Sequence, residues 1–142
     1  MADAGLIRKR VRAEIDAARR AGLARRERGD QAARDFEVFL ETVAVPAFRT
    51  MSNVLRAEGV PFEVQTPSGS ARLVSDRLRD DAIELVLDTT LDPPQAMLLS
   101  TRTRGSRSVR SERPVKDGAA IPSLSEDDVI ERLIEELRPW LG

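Results

Sequence analysis

The sequence predicts an α+β fold: N-terminal helices, an antiparallel sheet of four to five strands, and a C-terminal helix packed on one sheet face. Two changes of period carry that expectation. Apolar residues recur every three or four positions as far as Gly59, alternate with polar ones from Pro61 to Arg113, and return to helical spacing after Ser125. The turns inside the alternating stretch are short, and short turns join antiparallel neighbours. At 142 residues the chain has room for one domain with a sizeable core. Its organisation is read as a basic amphipathic helix over 1–28, for oligomerisation or docking, followed by a single α+β domain over 30–142.

Residues 4–28 spell a helix rich in Ala and Arg. Ile7, Val11, Ile15 and Ala18, with Leu23 following, form a thin apolar stripe. A stripe this narrow suits a seam against another helix better than a broad core face. Gly22 and the run Arg28–Asp30 are expected to weaken or break the helix, with Asp30 capping the next one. The second helix is expected from about Gln31 to Gly59. Phe36, Phe39, Leu40, Val43, Ala47, Met51, Val54 and Leu55 give it a wide, core-directed face. Pro46 lies in its middle, lacks a backbone donor and should push Val45 toward extended geometry, so a kink or restart is expected there. Gly59 supplies the usual C-terminal stop.

The strands follow. "PFEVQT" (61–66) and "ARLVS" (71–75) flank the turn "PSGS". "AIELVLDTTL" (82–91) puts Ile83, Leu85 and Leu87 on one face and Glu84, Val86 and Asp88 on the other. "QAMLLSTRTR" (95–104) and "RSVRSER" (107–113) face each other across a Gly105-Ser106 hairpin. A loop leads to Ser125, which caps the last helix with Asp128 three residues on. Val129, Ile130, Leu133, Ile134, Leu137 and Leu141 form its apolar face, and Trp140 near its end implies a docked C-terminus. The second and last helices are expected to share one sheet face, leaving the other polar or open to a partner.

Composition narrows the chemistry. The chain has no His, no Cys and no Tyr. That excludes zinc sites built on thiolate or imidazole, Ser-His-Asp and Cys-His nucleophiles, and the commonest general base near neutral pH. Any catalysis would rest on carboxylates, Lys9 or Lys116, Ser or Thr, or a carboxylate-held metal. Glu84 and Asp88 share a strand face but stand about 13 Å apart by strand rise, too far for one metal without a third group. Asp80 and Asp81 are read as loop acids. No enzyme activity, cofactor or metal is expected. The longest apolar runs are only a few residues and the N-terminus has no apolar segment after its basic residues, so no membrane span or secretory signal is expected and the protein is placed in the cytosol.

Net charge is −1, but the charges come in blocks. Residues 1–28 carry nine basic groups, residues 76–92 six acids, and residues 117–142 seven acids. Such alternation suits internal pairing or association between chains. The sharpest local feature is "STRTRGSRSVRSERPVK" (100–116). With Gly105-Ser106 as the turn, Arg104 opposes Arg107 and Arg102 opposes Val109. Arg102, Arg104 and Arg107 then crowd one face, while Arg110 points the other way with Thr101, Thr103 and Ser108. Opposed arginines destabilise one another unless an acid intervenes. Glu84 and Asp88 are the first candidates for that acid, a partner's carboxylates the second, and phosphate the third. Aromatic residues make only 4% of the chain and none interleaves with these arginines, so no base-stacking platform is expected.

The function these features favour is that of a small non-enzymatic, cytosolic protein-interaction and oligomerisation module. Ile7, Val11, Ile15 and Leu23 would mediate self-association, with a homodimer favoured, or docking onto a protein partner. Arg102, Arg104, Arg107 and Arg110 would meet an anion or an acidic partner. Binding to the phosphate backbone of nucleic acid through the hairpin and the first helix is the alternative, and a carboxylate- or metal-dependent enzyme the least favoured.

Overall fold

The structure, a computed structural model, describes residues 2–142. Its elements are α1 (Ala4–Phe39), a π-helical turn (Leu40–Ala44), α2 (Val45–Ala57), β1 (Phe62–Gln65), β2 (Ala71–Ser75), β3 (Ala82–Asp88), β4 (Gln95–Arg104), β5 (Arg107–Pro114), a 3-10 turn (Ile121–Ser123) and α3 (Glu126–Leu141). The architecture is α+β, as expected: N-terminal helices, a five-stranded antiparallel sheet and a C-terminal helix.

The expected break near Arg28–Asp30 is absent. α1 runs 36 residues through Gly22 and Gly29. Asp30 caps nothing; Asp3 is the N-cap, accepting from the Gly5 amide at 2.8 Å. Two isolated glycines cost a helix about 1 kcal/mol each, and the surrounding Ala and Arg residues outweigh that. The packed body begins only at Ala32.

Pro46 is accommodated differently from the sequence expectation. In regular α geometry its ring would strike the carbonyl of Thr42. The chain widens instead by one π turn just before it, where the Val45 amide bonds to Leu40 five residues back. Val45 stays helical (φ −61°, ψ −46°) and is not pushed to extended geometry. The helical path therefore continues from α1 into α2. Gly59, at φ +80°, ends it in a Schellman motif: Val60 donates to the Leu55 carbonyl and Gly59 to that of Arg56.

The strands lie in the order β1-β2-β3-β4-β5, all joined by antiparallel hairpins. Period two puts Phe62, Leu73, Ile83, Leu85, Ala96 and Leu98 on one face, all nearly or fully buried. α2 and α3 cover that face with Phe48, Met51, Leu55, Val129, Leu133 and Leu137. Phe36 and Phe39 of α1 close the core's end with Ile121. Ser52 donates to the Phe62 carbonyl at 2.6 Å, tying α2 to the edge strand β1. Ser125 and Asp128 form the full capping box at the start of α3. Ile134 and Leu141, expected on the apolar face of α3, lie exposed instead: Ile134 sits round the helix from Val129 and Leu133, and Leu141 is the last residue of the helix, one turn past Leu137.

Leu133 and Ile134 thus separate the two faces of α3. Leu133→Ala is expected to cost about 2–5 kcal/mol through an emptied buried site. Ile134→Ala is expected to change stability by less than about 0.5 kcal/mol. Urea unfolding of both variants checks this; comparable losses would contradict the placement of α3.

Candidate functional site

The β4–β5 hairpin has the expected register, with Arg104 opposite Arg107 and Arg102 opposite Val109. Arg102, Arg104 and Arg107 project on the face that carries α3, and Arg110 on the open face. Among the described residues none of these four arginines makes an ion pair within 4.0 Å.

Glu84 and Asp88 do not neutralise the arginine cluster. Ile83 opposes Ser100 and Glu84 opposes Leu99, so Glu84 lies on the open face while Arg102 lies on the helix-covered one. Glu84 meets Arg72 of β2 at 3.3 Å instead. Asp88 accepts from the Thr90 amide and hydroxyl in its own turn.

The acid beside Arg102 is Asp81, and it is not a loop acid. It is 1% exposed. Its Oδ1 accepts the Thr103 amide at 2.7 Å, and its Oδ2 accepts the Trp140 indole N–H at 2.8 Å. Its backbone carbonyl accepts from Ser75 and its amide donates to Leu78. Burial pushes the Asp81 carboxyl up; the Trp140 and Thr103 hydrogen bonds, with the Arg102 guanidinium nearby, outweigh burial and hold it below its ordinary value. A signal for this was present in the sequence: counting back by two from Ile83 puts Asp81 on the core face, where a charge needs donors.

A second acid lies under the hairpin. Glu136 of α3 is buried, accepts from the Ser100 hydroxyl at 2.8 Å and stands 3.7 Å from Arg113. Arg113 and Arg132 also hold Glu135. The acidic block of α3 is thus partly spent inside the molecule, on Ser100, Arg113 and Arg132 and not on the arginines nearer the hairpin tip.

α1 forms the other surface. Ile7, Val11, Ile15 and Leu23 are each between 44% and 53% exposed. At about 1.5 Å per residue, the stretch from Ala4 to Gln31 projects about 42 Å. It is braced near its inner end by Arg28, 3.9 Å from Asp92 in the β3–β4 loop. Beside that brace lies an open cleft of about 920 Å³ lined by Arg19, Gly22, Arg25, Arg26, Gly29 and Thr89. Leu23 stands about 140° round the helix from Ala18, so Gly22 and not Leu23 continues the stripe. Among the described residues, no cluster of three or more acidic side chains is placed to hold a metal ion, and no helix is long and apolar enough to cross a membrane.

Asp81 stabilises the fold with a definite sign. Its folded-state pKa is depressed, so its contribution is present above about pH 4 and is lost as pH falls through the folded value. Asp81→Asn turns an amide group against one of the two N–H donors and is expected to cost about 1–3 kcal/mol at neutral pH. The gap to wild type should narrow as the medium is acidified below about pH 4. Urea midpoints measured down the pH scale check this, and a gap that stays constant contradicts it.

Comparisons with protein-family models, with curated proteins and with solved structures return no match.

Proposed function

We propose that this chain is a non-enzymatic protein-interaction module of the cytosol whose docking element is α1. One observation carries the reading. Ile7 and Ala32 are separated by close to seven whole helical turns, as are Val11 and Phe36. The exposed stripe therefore lies on the same helix face that, further along, is buried in the core with Ala32 and Phe36. A helix gains most of its stability by packing such a face. Among the described residues, every one from Ala2 to Ala21 is exposed, so this face is left uncovered beyond the contacts near Thr89 and the Arg28–Asp92 brace.

The charge of the stripe's flanks describes the partner. Arg8, Arg10, Arg12, Arg19, Arg25 and Arg26 lie on or beside it, with Glu14 among them. A second α1 laid along it would set basic against basic, so the surface fits an acidic protein face with an apolar centre. A photo-cross-linking residue at Val11 is expected to yield adducts that Ile7→Glu/Ile15→Glu abolishes. The same residue at Arg20, on the far side of the helix, should yield few. Equal labelling from both positions sinks the reading.

A second reading is favoured by the four hairpin arginines that lack ion pairs: binding to the phosphate backbone of nucleic acid. It predicts retention of mixed-sequence duplex DNA at low salt that falls steeply as salt rises. Absence of binding at low salt excludes it.

A further inference from the structure

The strand order leaves β1 and β5 as edges, and β5 is the longer: eight residues against four. Its pairing with β4 runs without a bulge from Met97–Pro114 to Arg104–Arg107. Arg104 and Arg107 close a two-residue hairpin, so that pair exchanges backbone hydrogen bonds. Alternation then gives inward bonds to Val109, Ser111 and Arg113. Ser108, Arg110 and Glu112 turn their amides and carbonyls outward. Among the described residues, no backbone or side-chain hydrogen bond reaches these outward groups. Pro114, next in the outward series, has no amide hydrogen to expose.

Edge strands are commonly protected by charged side chains, Lys above all, whose copies repel one another. β5 instead carries opposite charges two residues apart on one face, Arg110 and Glu112, and neither makes an ion pair among the described residues. That pattern selects a register for a second identical strand. A twofold axis perpendicular to the sheet keeps like faces together, so it passes through a residue opposed to its own copy. Centred on Arg110 it sets arginine on arginine. Centred on Glu112 it sets glutamate on glutamate. Centred on Val109 it sets Arg110 against Ser108. Centred on Ser111 it sets Arg110 against Glu112 of the second copy, twice. The same register joins outward backbone groups to outward backbone groups, each Arg110–Glu112 pair exchanging two hydrogen bonds. It also lays exposed Val109 against the methylene stem of Arg113.

We infer that β5 is a self-recognition edge: two copies of this chain pair antiparallel through β5, in the register centred on Ser111, to form one continuous ten-stranded sheet. The surface is separate from α1, and the inference does not rest on α1 docking.

Sedimentation velocity on the full-length chain, over a micromolar dilution series, tests it. Wild type is expected to dimerise. Arg110→Glu and Glu112→Arg each set like charges opposite one another twice and should weaken the dimer about tenfold or more. The double variant Arg110→Glu/Glu112→Arg restores opposite charges and should restore the dimer. Ile7→Glu/Ile15→Glu should leave it intact. The chain has no Cys, which permits a second readout. Ser111→Cys places two thiols opposite one another in a non-hydrogen-bonded pair, about 4.5 Å between Cα atoms, within disulfide range. Mild oxidation should give a covalent dimer. Ser108→Cys, whose counterpart would lie about 20 Å away, should stay monomeric. A wild type that remains monomeric, a dimer indifferent to the single reversals, a charge swap that fails to restore association, or equal oxidation of the two cysteine variants each overturns the inference.

Discussion

The carboxylate of Asp81 joins parts of the chain that are far apart in sequence. Its backbone closes the turn between β2 and β3, one oxygen holds the β4 amide of Thr103, and the other holds the indole of Trp140 at the end of α3. Trp140 in turn meets Phe62 edge to face at 5.6 Å, and Phe62 carries the carbonyl that Ser52 of α2 reaches. A buried carboxylate is costly unless its oxygens are satisfied, and here two N–H donors and a nearby guanidinium satisfy them. That one group thus ties the last turn of α3 to the β2–β3 turn and to β4 beside the hairpin tip.

The hairpin is accordingly divided. Its base is fixed by Glu136 on Ser100 and by Arg113 on the acids of α3, and Asp81 holds the Thr103 amide one residue before the turn-closing Arg104–Arg107 pair. Among the described residues, its arginines Arg102, Arg104 and Arg107 form no ion pair within 4.0 Å. A rigid base and a charged, unpaired tip form a presented surface, and the direction in which Arg102, Arg104 and Arg107 point is set by the pleat and not by contacts of their own.

Much of this was legible from periodicity. The two-residue turn at Gly105-Ser106 fixed the β4–β5 register, because nothing interrupts the alternation on either side. The capping box at Ser125 and Asp128 was equally plain. Three features escaped for physical reasons. The continuity of α1 depends on summed propensity outweighing Gly22 and Gly29, which a search for breakers does not register. The π turn before Pro46 is a backbone adjustment with no residue signature of its own. Asp81 looked like a turn acid because its partners, Thr103 and Trp140, lie 22 and 59 residues away. The opposition between Glu84 and the arginines failed on strand parity: the right strand, the wrong face. The candidate surfaces were found as residues, but whether a side chain is exposed or spent inside depends on tertiary neighbours that spacing alone does not specify.

The unbroken passage from α1 through the π turn into α2 gives the molecule a lever. The arm is the part of α1 that precedes the packed body, Ala4 to Gln31, about 42 Å long. Its fulcrum is the packed stretch that follows, where Ala32, Phe36, Phe39, Leu40, Ala44 and Phe48 are buried in one core. A rotation of about 10° at that fulcrum would sweep the Ala4 end through about 7 Å, while the core residues near the axis would move by a small fraction of that. Force applied at the far end of α1 is therefore delivered, with mechanical advantage, to the packing between α2 and the sheet.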